Sequence, residues 1–301
     1  MPRLILGSDH LVSKGSKTEL ANVLSMLTTS EVKRRSRPYA STVAYCPTQN
    51  WLADHAGEIE TVTPAPLKLY QGVGNGVEDV IVQGFEAHGK LLSTQVKLPL
   101  PAKSYKIDIG GYIDMIAFDR NGAVAAYEIK TSKNLPIEPK ATHLSQAMTY
   151  ACLGGFDKTY IVYVGREVQN LPDPTPLVRV FELDVAGLLE SYMTTIVFTC
   201  HTLKQHYAPM RPAHFRKSNE CSYCPFLQKC WNVDGFEFME PDDNQAEYDA
   251  ASKIALELID KRPQFFLNSL SNAIGSAPEA SKDKLKDLIK QESSALRTKT
   301  I

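Results

Sequence analysis

Apolar positions recur along the chain with two different periods, and their order predicts alternating strands and helices. Runs of about four to eight apolar or alternating residues indicate strands, and apolar residues three and four positions apart indicate helices. In chain order, the prediction is a helix at 76–88, strands at 91–99, 106–119 and 123–131, a helix at 140–153, strands within 158–165 and 177–185, and a long helix within 187–206. This order predicts an α/β fold with a mixed central sheet flanked by helices.

The same pattern divides the chain into three regions. Residues 1–37 are polar, residues 38–235 contain the predicted sheet, and residues 236–301 form a helical C-terminal extension. Breaks in this extension are predicted at Pro263 and around residues 275–278. A chain of this length forms one large domain, or one domain with an appendage.

The C-terminal extension contains an amphipathic segment, "KLKDLIK", with one apolar stripe. The stripe consists of Leu285, Leu288 and Ile289. Packing against the chain's own domain explains such a stripe. The alternative is a contact with a protein partner.

Residues 110–133, "GGYIDMIAFDRNGAVAAYEIKTSK", are mostly apolar and predict a hairpin, yet they include Asp114, Glu128 and Lys130. A charge inside a buried sheet is costly unless it is paired or binds something. Asn121-Gly122 is the turn signal of the hairpin. The length of the turn then decides which side chains meet.

Two loop lengths give different arrangements of these charges. A two-residue turn would put Glu128 on the face away from Asp114, whereas a three-residue loop with Gly122 left-handed in a bulge puts the two carboxylates opposite each other. Lys130 then lies on the same face, because side chains alternate along a strand. We favour the three-residue loop because it gathers the three charges.

Two facing carboxylates repel each other unless a cation lies between them. Oxygen ligands alone are typical of sites for Mg²⁺ or Mn²⁺. A neighbouring lysine such as Lys130 can orient an attacking water or stabilise charge that develops on a phosphate. The alternative is a salt-bridged hairpin at the edge of a sheet, in which Lys130 pairs with one of the acids.

Residues on two predicted helices add to this group. The segment "GNGVEDVI" offers Glu78 and Asp79, and "THLSQAMTY" places Gln146 and Tyr150 four residues apart on one helix face. Each pair alone is also compatible with an ordinary helix surface. The acidic pair is further compatible with acids that complement the positive end of a helix dipole.

Taken together, these residues resemble the PD-(D/E)XK nuclease superfamily in its RecB-type branch. "GYID", which ends at Asp114, is similar to the GxxD motif of that branch, and "EIK", from Glu128 to Lys130, is similar to its (D/E)xK motif. Gln146 and Tyr150 are similar to its QxxxY motif. The resemblance implies a restriction-endonuclease-like core.

The chain departs from the RecB-type pattern at one position. Many members of that branch have a metal-binding histidine in a G-x-x-x-H context on the first helix, where this chain has Glu78 in "GNGVE". Lambda-type exonucleases of the same superfamily are similar to this chain, with a glutamate there. The resemblance therefore implies that Glu78, Asp114, Glu128 and the backbone carbonyl of Ile129 bind the metal.

The cysteines form a second group of candidate ligands. "CSYCPFLQKC" supplies Cys221, Cys224 and Cys230, and "STVAYCPTQNWL" supplies Cys46. RecB-type nucleases with an iron–sulfur cluster, among them the AddB nuclease domain and the CRISPR-associated exonucleases, have this layout of one cysteine before the core and three after it. The resemblance, which covers about residues 38–232, implies a [4Fe–4S] cluster that closes the domain across its ends.

The same four cysteines are also compatible with tetrahedral Zn²⁺, which stays open as an alternative. The chain has six cysteines in all. Cys152 and Cys200 lie in apolar helical stretches and are predicted to be packed as small hydrophobic residues.

Composition excludes some classes of function. The 301 residues have a net charge of −1, so no general basic field points to nucleic acid, and any such binding must use local patches. The N-terminal segment lacks the apolar run of a signal peptide, and no apolar stretch is long enough to span a membrane. We therefore expect a cytoplasmic protein, in a prokaryotic cell or a virus-infected host, without a membrane contact.

The predicted function is that of a metal-dependent deoxyribonuclease. Related stand-alone enzymes act on single-stranded DNA or DNA ends, often from the 5′ end. Lys130 is expected to orient the water, and Gln146 and Tyr150 to contact DNA near the scissile phosphate. Further basic residues are expected to guide the strand, namely Arg34, Arg35, Arg216 and Lys217. The alternative is a non-catalytic nuclease fold that binds DNA or protein within a larger repair, immunity or viral complex.

Overall fold

The computed structural model describes residues 29–33, 37–55, 59–63, 65–165, 177–211, 221, 224, 226–232 and 237–299. The strands are β1 (Thr29–Lys33), β2 (Ile59–Thr63), β3 (Leu91–Lys97), β4 (Tyr112–Phe118), β5 (Val124–Ser132), β6 (Thr159–Gly165) and β7 (Val178–Glu182). The α-helices are α1 (Ala40–Val43), α2 (Pro47–His55), α3 (Ala65–Ala87), α4 (Ala141–Gly154), α5 (Val185–Thr202), α6 (Leu227–Asn232), α7 (Pro241–Asp260), α8 (Arg262–Ala273) and α9 (Glu279–Lys299).

The chain divides into two compact units. The first comprises residues 1–33 and 58–76, and the second residues 34–57 and 77–301. Within the first unit, β1 and β2 pair antiparallel over their whole length. The second unit contains all the strands from β3 onward, and with them the residues that carry the predicted chemistry.

A five-stranded sheet forms the centre of the second unit. Its strand order is β3-β4-β5-β6-β7. The pair β5–β6 is parallel and the other pairs are antiparallel. A parallel pair requires a crossover connection, which α4 provides. This arrangement confirms the predicted mixed α/β sheet flanked by helices.

The β4–β5 hairpin has the three-residue loop that was predicted. Gly122 adopts a φ of +82°, in the left-handed region, and the Asp119 N–H donates to the Ala123 carbonyl at 2.8 Å. The Asp119 carboxylate accepts hydrogen bonds from the N–H groups of Asn121 and Ala123 at 2.8 and 2.9 Å. These bonds stabilise the loop length that determines the register.

Helices cover both faces of the sheet. Along β5, Ala126 belongs to the larger cluster of buried residues, which includes helices α4 and α5, whereas Tyr127 belongs to a smaller cluster. The smaller cluster is packed against one stripe of α3, formed by Ile81, Val82 and Phe85. Because side chains alternate along β5, successive residues face α4 and α5 on one side of the sheet and α3 on the other.

Helix α3 begins earlier than predicted. We expected a helix over 76–88, but the helix runs from Ala65 to Ala87. Glu78 therefore lies in the helix interior rather than near its start. Since the helix dipole acts within the first turn, it gives no reason for an acid at this position.

The helices near the end of the chain belong to the core. Leu285 is 0% exposed, and Leu288 and Ile289 are partly buried against the same cluster as the sheet. Packing against the chain's own domain, the first of the two alternatives, therefore accounts for the apolar stripe.

Side chains of α8 and α9 also bind the backbone of β3, an outer strand of the sheet. Asn272 donates to the Lys97 carbonyl at 3.0 Å, and Ser281 donates to the Leu91 carbonyl at 2.6 Å. An outer strand with unpaired carbonyls is a template for unwanted pairing. These two bonds use carbonyls that β4 leaves unpaired.

Among the helices that the structure describes, none has the length and apolarity required to cross a membrane.

Candidate active site

The pairing of strands β4 and β5 ends next to the predicted catalytic residues. Their antiparallel ladder ends with Met115 opposite Tyr127, so the same register places Asp114 opposite Glu128. There the Ile129 N–H donates to the Asp114 Oδ2 at 3.0 Å. Because N–H and C=O of one residue in a strand point to the same side, the Ile129 carbonyl is directed toward Asp114 as well.

Glu128 is a fully buried carboxylate. It is 0% exposed, and the Lys130 Nζ contacts its Oε1. Its Oε1 thus has an ion-pair partner, whereas its Oε2 has no hydrogen bond of normal geometry from the residues that the structure describes. A buried carboxylate oxygen without a partner is costly. The Oε2 therefore has capacity for a cation.

The charges at the site shift one another's pKa values. Burial and the charge of Glu128 raise the pKa of Asp114 to about 7. Burial also raises the pKa of Glu128, although Lys130 opposes this shift. Burial alone would lower the pKa of Lys130, but Glu128 and Asp114 outweigh it and raise that pKa. Lys130 is therefore an ammonium ion at neutral pH, a donor rather than a base.

Gln146 and Tyr150 lie together on α4, and the Gln146 Nε2 donates to the Tyr150 hydroxyl at 2.6 Å. Burial, followed by the nearby Glu128 and Asp114 charges, raises the pKa of Tyr150 well above its ordinary value. The Tyr150 side chain is 0% exposed. Its hydroxyl lies between Gln146 and Glu128, and its contact with DNA stays a prediction. Gln146 is only half-buried.

Glu78 lies on the α3 stripe that faces the sheet. It is half-buried, whereas Asp79 is exposed. The Gln95 Nε2 donates to the Glu78 Oε1 at 2.6 Å. Burial and the charge of Asp114 raise the pKa of Glu78. Of the two acids, Glu78 is thus the one in the electrostatic neighbourhood of Asp114 and Lys130.

Gln95 is a site residue that the sequence did not reveal. Its φ of +48° lies in the left-handed region, although it belongs to β3. Such a conformation costs about 1–3 kcal/mol for a residue other than glycine. A glutamine in an ordinary strand pattern carries no sequence signal of this kind.

His143 is a second residue that was missed. The Tyr163 hydroxyl accepts the Lys140 N–H at 3.0 Å, so its own hydrogen is available to the His143 Nδ1, 2.8 Å away. Burial and the charge of Lys130 lower the pKa of His143 to about 3. His143 is therefore a neutral neighbour of Lys130. His143 lies on α4 and its partner Tyr163 on β6, so no local spacing in the sequence could have indicated the contact.

The acidic residues match the donor chemistry of a hard divalent cation. Among the described residues, no three or more His, Cys, Asp or Glu side chains already surround a single point in the manner of a metal site. Each acid instead has a protein contact, as described above. The facing carboxylates of Asp114 and Glu128, and the Glu128 Oε2 that lacks a hydrogen bond of normal geometry, nevertheless fit the donor set of such a cation.

The four predicted cluster cysteines influence one another electrostatically. Burial and, to a smaller extent, the neighbouring thiols of Cys224, Cys230 and Cys221 raise the pKa of Cys46 to about 12. The Cys46 sulfur accepts the Gln49 N–H at the start of α2, 3.4 Å away. Hydrogen bonds of this kind tune metal-bound sulfur. The structure thus brings residues from both ends of the core into one neighbourhood.

Arg211 contributes a further contact to the cysteine segment. Its guanidinium lies 4.4 Å from the Trp231 ring centre and 4.5 Å from that of Phe238, and it donates to the Cys230 carbonyl. Cation–π contacts of this type are favourable when partly desolvated. Arg211 therefore helps to hold α6 beside the end of the core.

The other sequence predictions for this region divide into two groups. Cys152 and Cys200 are buried, as predicted, at 0% and 7% exposure. The basic residues proposed to guide a strand lie outside the described residues, namely Arg34, Arg35, Arg216 and Lys217.

Comparison with known proteins gives the family of the chain. No curated protein matches the chain. Among solved structures, the chain is similar to one described as "Crystal structure of SSO0001", with 21% identity, a TM-score of 0.39 and coverage of 72% of this chain and 93% of that one. A model of the PD-(D/E)XK nuclease superfamily matches residues 14–231. Because this match spans well over half of the chain and includes the strands that carry Asp114, Glu128 and Lys130, the chain belongs to the PD-(D/E)XK nuclease superfamily.

Proposed function

We propose that this protein is a DNA nuclease that depends on Mg²⁺ or Mn²⁺, and that it acts as an exonuclease on single-stranded DNA or DNA ends, with the 5′ end favoured. The observation that carries the proposal is the buried Glu128 carboxylate, in contact with Lys130 and opposite Asp114 where two strands part. The superfamily usually hydrolyses nucleic acid. The choice of DNA and of its ends rests on the resemblance to RecB-type enzymes.

The carboxylates and one carbonyl would hold the metal. Asp114, Glu128, Glu78 and the Ile129 carbonyl provide only oxygen donors, which suits Mg²⁺ and Mn²⁺. When bound, the ion would supply a Lewis acid for the phosphodiester and lower the pKa of a water ligand.

Lys130 orients the attacking water and stabilises negative charge on the phosphate. Its raised pKa keeps it protonated, so it donates hydrogen bonds and accepts none. Contact with Glu128 limits the positions of its ammonium group. A fixed donor aimed at developing charge accelerates the reaction because it needs no reorganisation.

Tyr150 positions Glu128, and Gln146 lies between Tyr150 and the substrate. The Tyr150 hydroxyl accepts from Gln146 and is near Glu128, which it favours in the ionised form. Because Gln146 is half-buried, we assign to it the contact with DNA near the scissile phosphate.

We further propose a [4Fe–4S] cluster at Cys46, Cys221, Cys224 and Cys230. The mutual influence of these thiols supports the assignment, and zinc is the alternative for the same ligands. The cluster would join residue 46 to the segment after the core and so stabilise the domain. Its loading would release thiol protons.

Lys130→Ala tests the catalytic proposal, with Lys158→Ala as the matched control. Lys158 is also a lysine of the sheet region, but it pairs with Glu182 and precedes β6. We expect Lys130→Ala to reduce cleavage of labelled DNA by at least about 100-fold, in the range of a lost transition-state contact. Single-stranded DNA binding should change little in both variants. Lys130→Ala should remain folded but have a lower thermal midpoint than Lys158→Ala, because the buried Glu128 loses its ion-pair partner.

The assay uses single and double strands labelled at the 5′ or the 3′ end, with Mg²⁺, Mn²⁺ or a chelator. The proposal requires metal-dependent cleavage by the wild type and by Lys158→Ala. Undiminished turnover by Lys130→Ala would remove this lysine from the mechanism. Product sizes from the two labels give the polarity.

A non-catalytic nuclease fold that binds DNA or protein is the second candidate. The observation in its favour is that each acidic residue contacts a protein group and that the described residues contain no preassembled metal site. This candidate predicts DNA binding without cleavage at any concentration of Mg²⁺ or Mn²⁺. The same assay therefore separates the two functions.

A further inference from the structure

A residue in the middle of β3 has a backbone conformation that strands do not normally contain. Gln95 has a φ of +48°, while its neighbours Thr94 and Val96 keep their pairings with Met115 and Ile113. The left-handed region disfavours residues with a Cβ atom and is normally occupied by glycine. Within β3, the left-handed conformation is therefore limited to the position that carries a long amide side chain.

The register identifies what lies opposite this distortion. Thr94 pairs with Met115 and Val96 with Ile113, so the residue between the partners is Asp114. Side chains of a regular strand alternate between faces, and a left-handed residue interrupts the alternation and redirects its side chain. In this structure the Gln95 amide reaches α3 and donates to Glu78.

We propose that Gln95 is a positioning residue that holds the Glu78 carboxylate toward the metal site between Asp114 and Glu128. The inference rests on the proposed function only in that Glu78 is taken as a metal ligand. A neutral amide orients one oxygen without neutralising the carboxylate, whereas a lysine or arginine would compete with a cation. The left-handed backbone is the means by which a β3 side chain reaches Glu78.

Gln95→Gly separates the backbone from the amide. Glycine adopts a positive φ without strain, so the variant should keep or raise the thermal midpoint. Loss of the amide should raise the dissociation constant for Mn²⁺ by about 10-fold or more, the effect typical of a lost outer-shell partner. Binding is measured on metal-free protein by titration with Mn²⁺ alone, without DNA.

Two further variants complete the design. Lys106→Gly is the matched control, because Lys106 has a similar φ of +56° but lies outside the site, after the short helix Lys103–Tyr105. It should leave Mn²⁺ affinity unchanged. Gln95→Asn tolerates the left-handed region, yet its side chain is one methylene too short for Glu78. It should therefore behave like Gln95→Gly.

A double variant shows whether Gln95 acts through Glu78. In a Glu78→Gln background, Gln95→Gly should have no additional effect on Mn²⁺ affinity, because coupled residues are not additive. The inference is overturned if Gln95→Gly and Gln95→Asn bind Mn²⁺ as tightly as the wild type. It is equally overturned if Gln95→Gly raises the dissociation constant for Mn²⁺ by the same factor in the Glu78→Gln background as in the wild type. Absence of DNA cleavage by the wild type would contradict the proposed function but leave these binding results interpretable.

Discussion

Three carboxylates of the site are each held by a different kind of donor. A side-chain amide binds Glu78, a backbone N–H binds Asp114, and an ammonium group contacts Glu128. The strongest positive charge thus lies at the most buried acid, where an unpaired charge would cost most. The less buried acids need only neutral donors.

Asp114→Asn should make the metal-free protein more stable at alkaline pH. The folded state holds the Asp114 proton up to about pH 7, whereas the unfolded chain loses it near the ordinary aspartate pKa of 3.8. The folded state therefore binds more protons between these values, and its stability falls as pH rises through that window. Asparagine removes this loss and still accepts the Ile129 N–H.

The measurement is thermal unfolding of both proteins from pH 4 to pH 9 in a chelator. The variant should match the wild type near pH 4 and exceed it by about 1–3 kcal/mol above pH 7, or several degrees in the midpoint. Mn²⁺ should stabilise the wild type and not the variant. A variant that loses stability relative to the wild type as pH rises would contradict the assignment.

At the residue scale, the sequence predicts contacts within one hairpin better than contacts between elements. The length of the loop before Ala123 was sufficient to place Asp114 opposite Glu128. Gln95 and His143 depend instead on a backbone irregularity and on a tyrosine from another strand. No periodic pattern contains either feature.

At the element scale, the hairpin loop connects backbone geometry to the site. Gly122→Ala should destabilise the protein by about 1–2 kcal/mol, because a φ of +82° is unfavourable for alanine. No atom lies within 4 Å of the added Cβ, so the cost is backbone strain alone. Cleavage should persist, since the hydrogen bonds of Asp119 still select the loop length.

Gly84→Ala is the control for this substitution. Gly84 lies inside α3 and also has open space around an added Cβ. Alanine in a helix interior should stabilise by about 0.5–1 kcal/mol. Urea unfolding of both variants should therefore show opposite signs. If both variants changed the free energy of unfolding in the same direction and by the same amount, the loop would not impose the left-handed conformation at Gly122.

The elements themselves were predictable to different degrees. Strands β3 to β7 were all predicted, because apolar alternation and turn residues delimit them. Helix α3 was predicted too short, because the apolar residues before Glu78 are interspersed with glycines that usually end a helix. The start of α3 depends on tertiary packing as well as on helix propensity, and the sequence alone does not determine that packing.

At the scale of the whole molecule, the proposed cluster would join Cys46 to the cysteine segment after the core. Protein purified without oxygen should contain about four irons per chain, as a [4Fe–4S] centre does. Cys46→Ala should lose the iron and lower the thermal midpoint as much as Cys224→Ala. Cys152→Ala is the control, because Cys152 is buried in the main core and should retain the iron.

Elemental analysis and visible absorption of the anaerobic protein give the answer. Stoichiometric zinc without iron would support the zinc alternative, and iron retained by Cys46→Ala would exclude Cys46 as a ligand.

The sequence could indicate this group of cysteines because the C-x2-C-x5-C spacing is local. It could not indicate which surface covers the stripe around Leu285, since amphipathic patterns do not identify their partners.

The hydrogen bond from Ser281 to the Leu91 carbonyl has a consequence for biosynthesis. Its two residues are 190 positions apart. At roughly 5–20 residues per second, ribosomes would take on the order of 10–40 s to add the second after the first. During that interval the outer strand of the nascent sheet is exposed to other chains. Folding of this nuclease in the cell should therefore depend on chaperones that shield emerging polypeptides, and more so when translation slows.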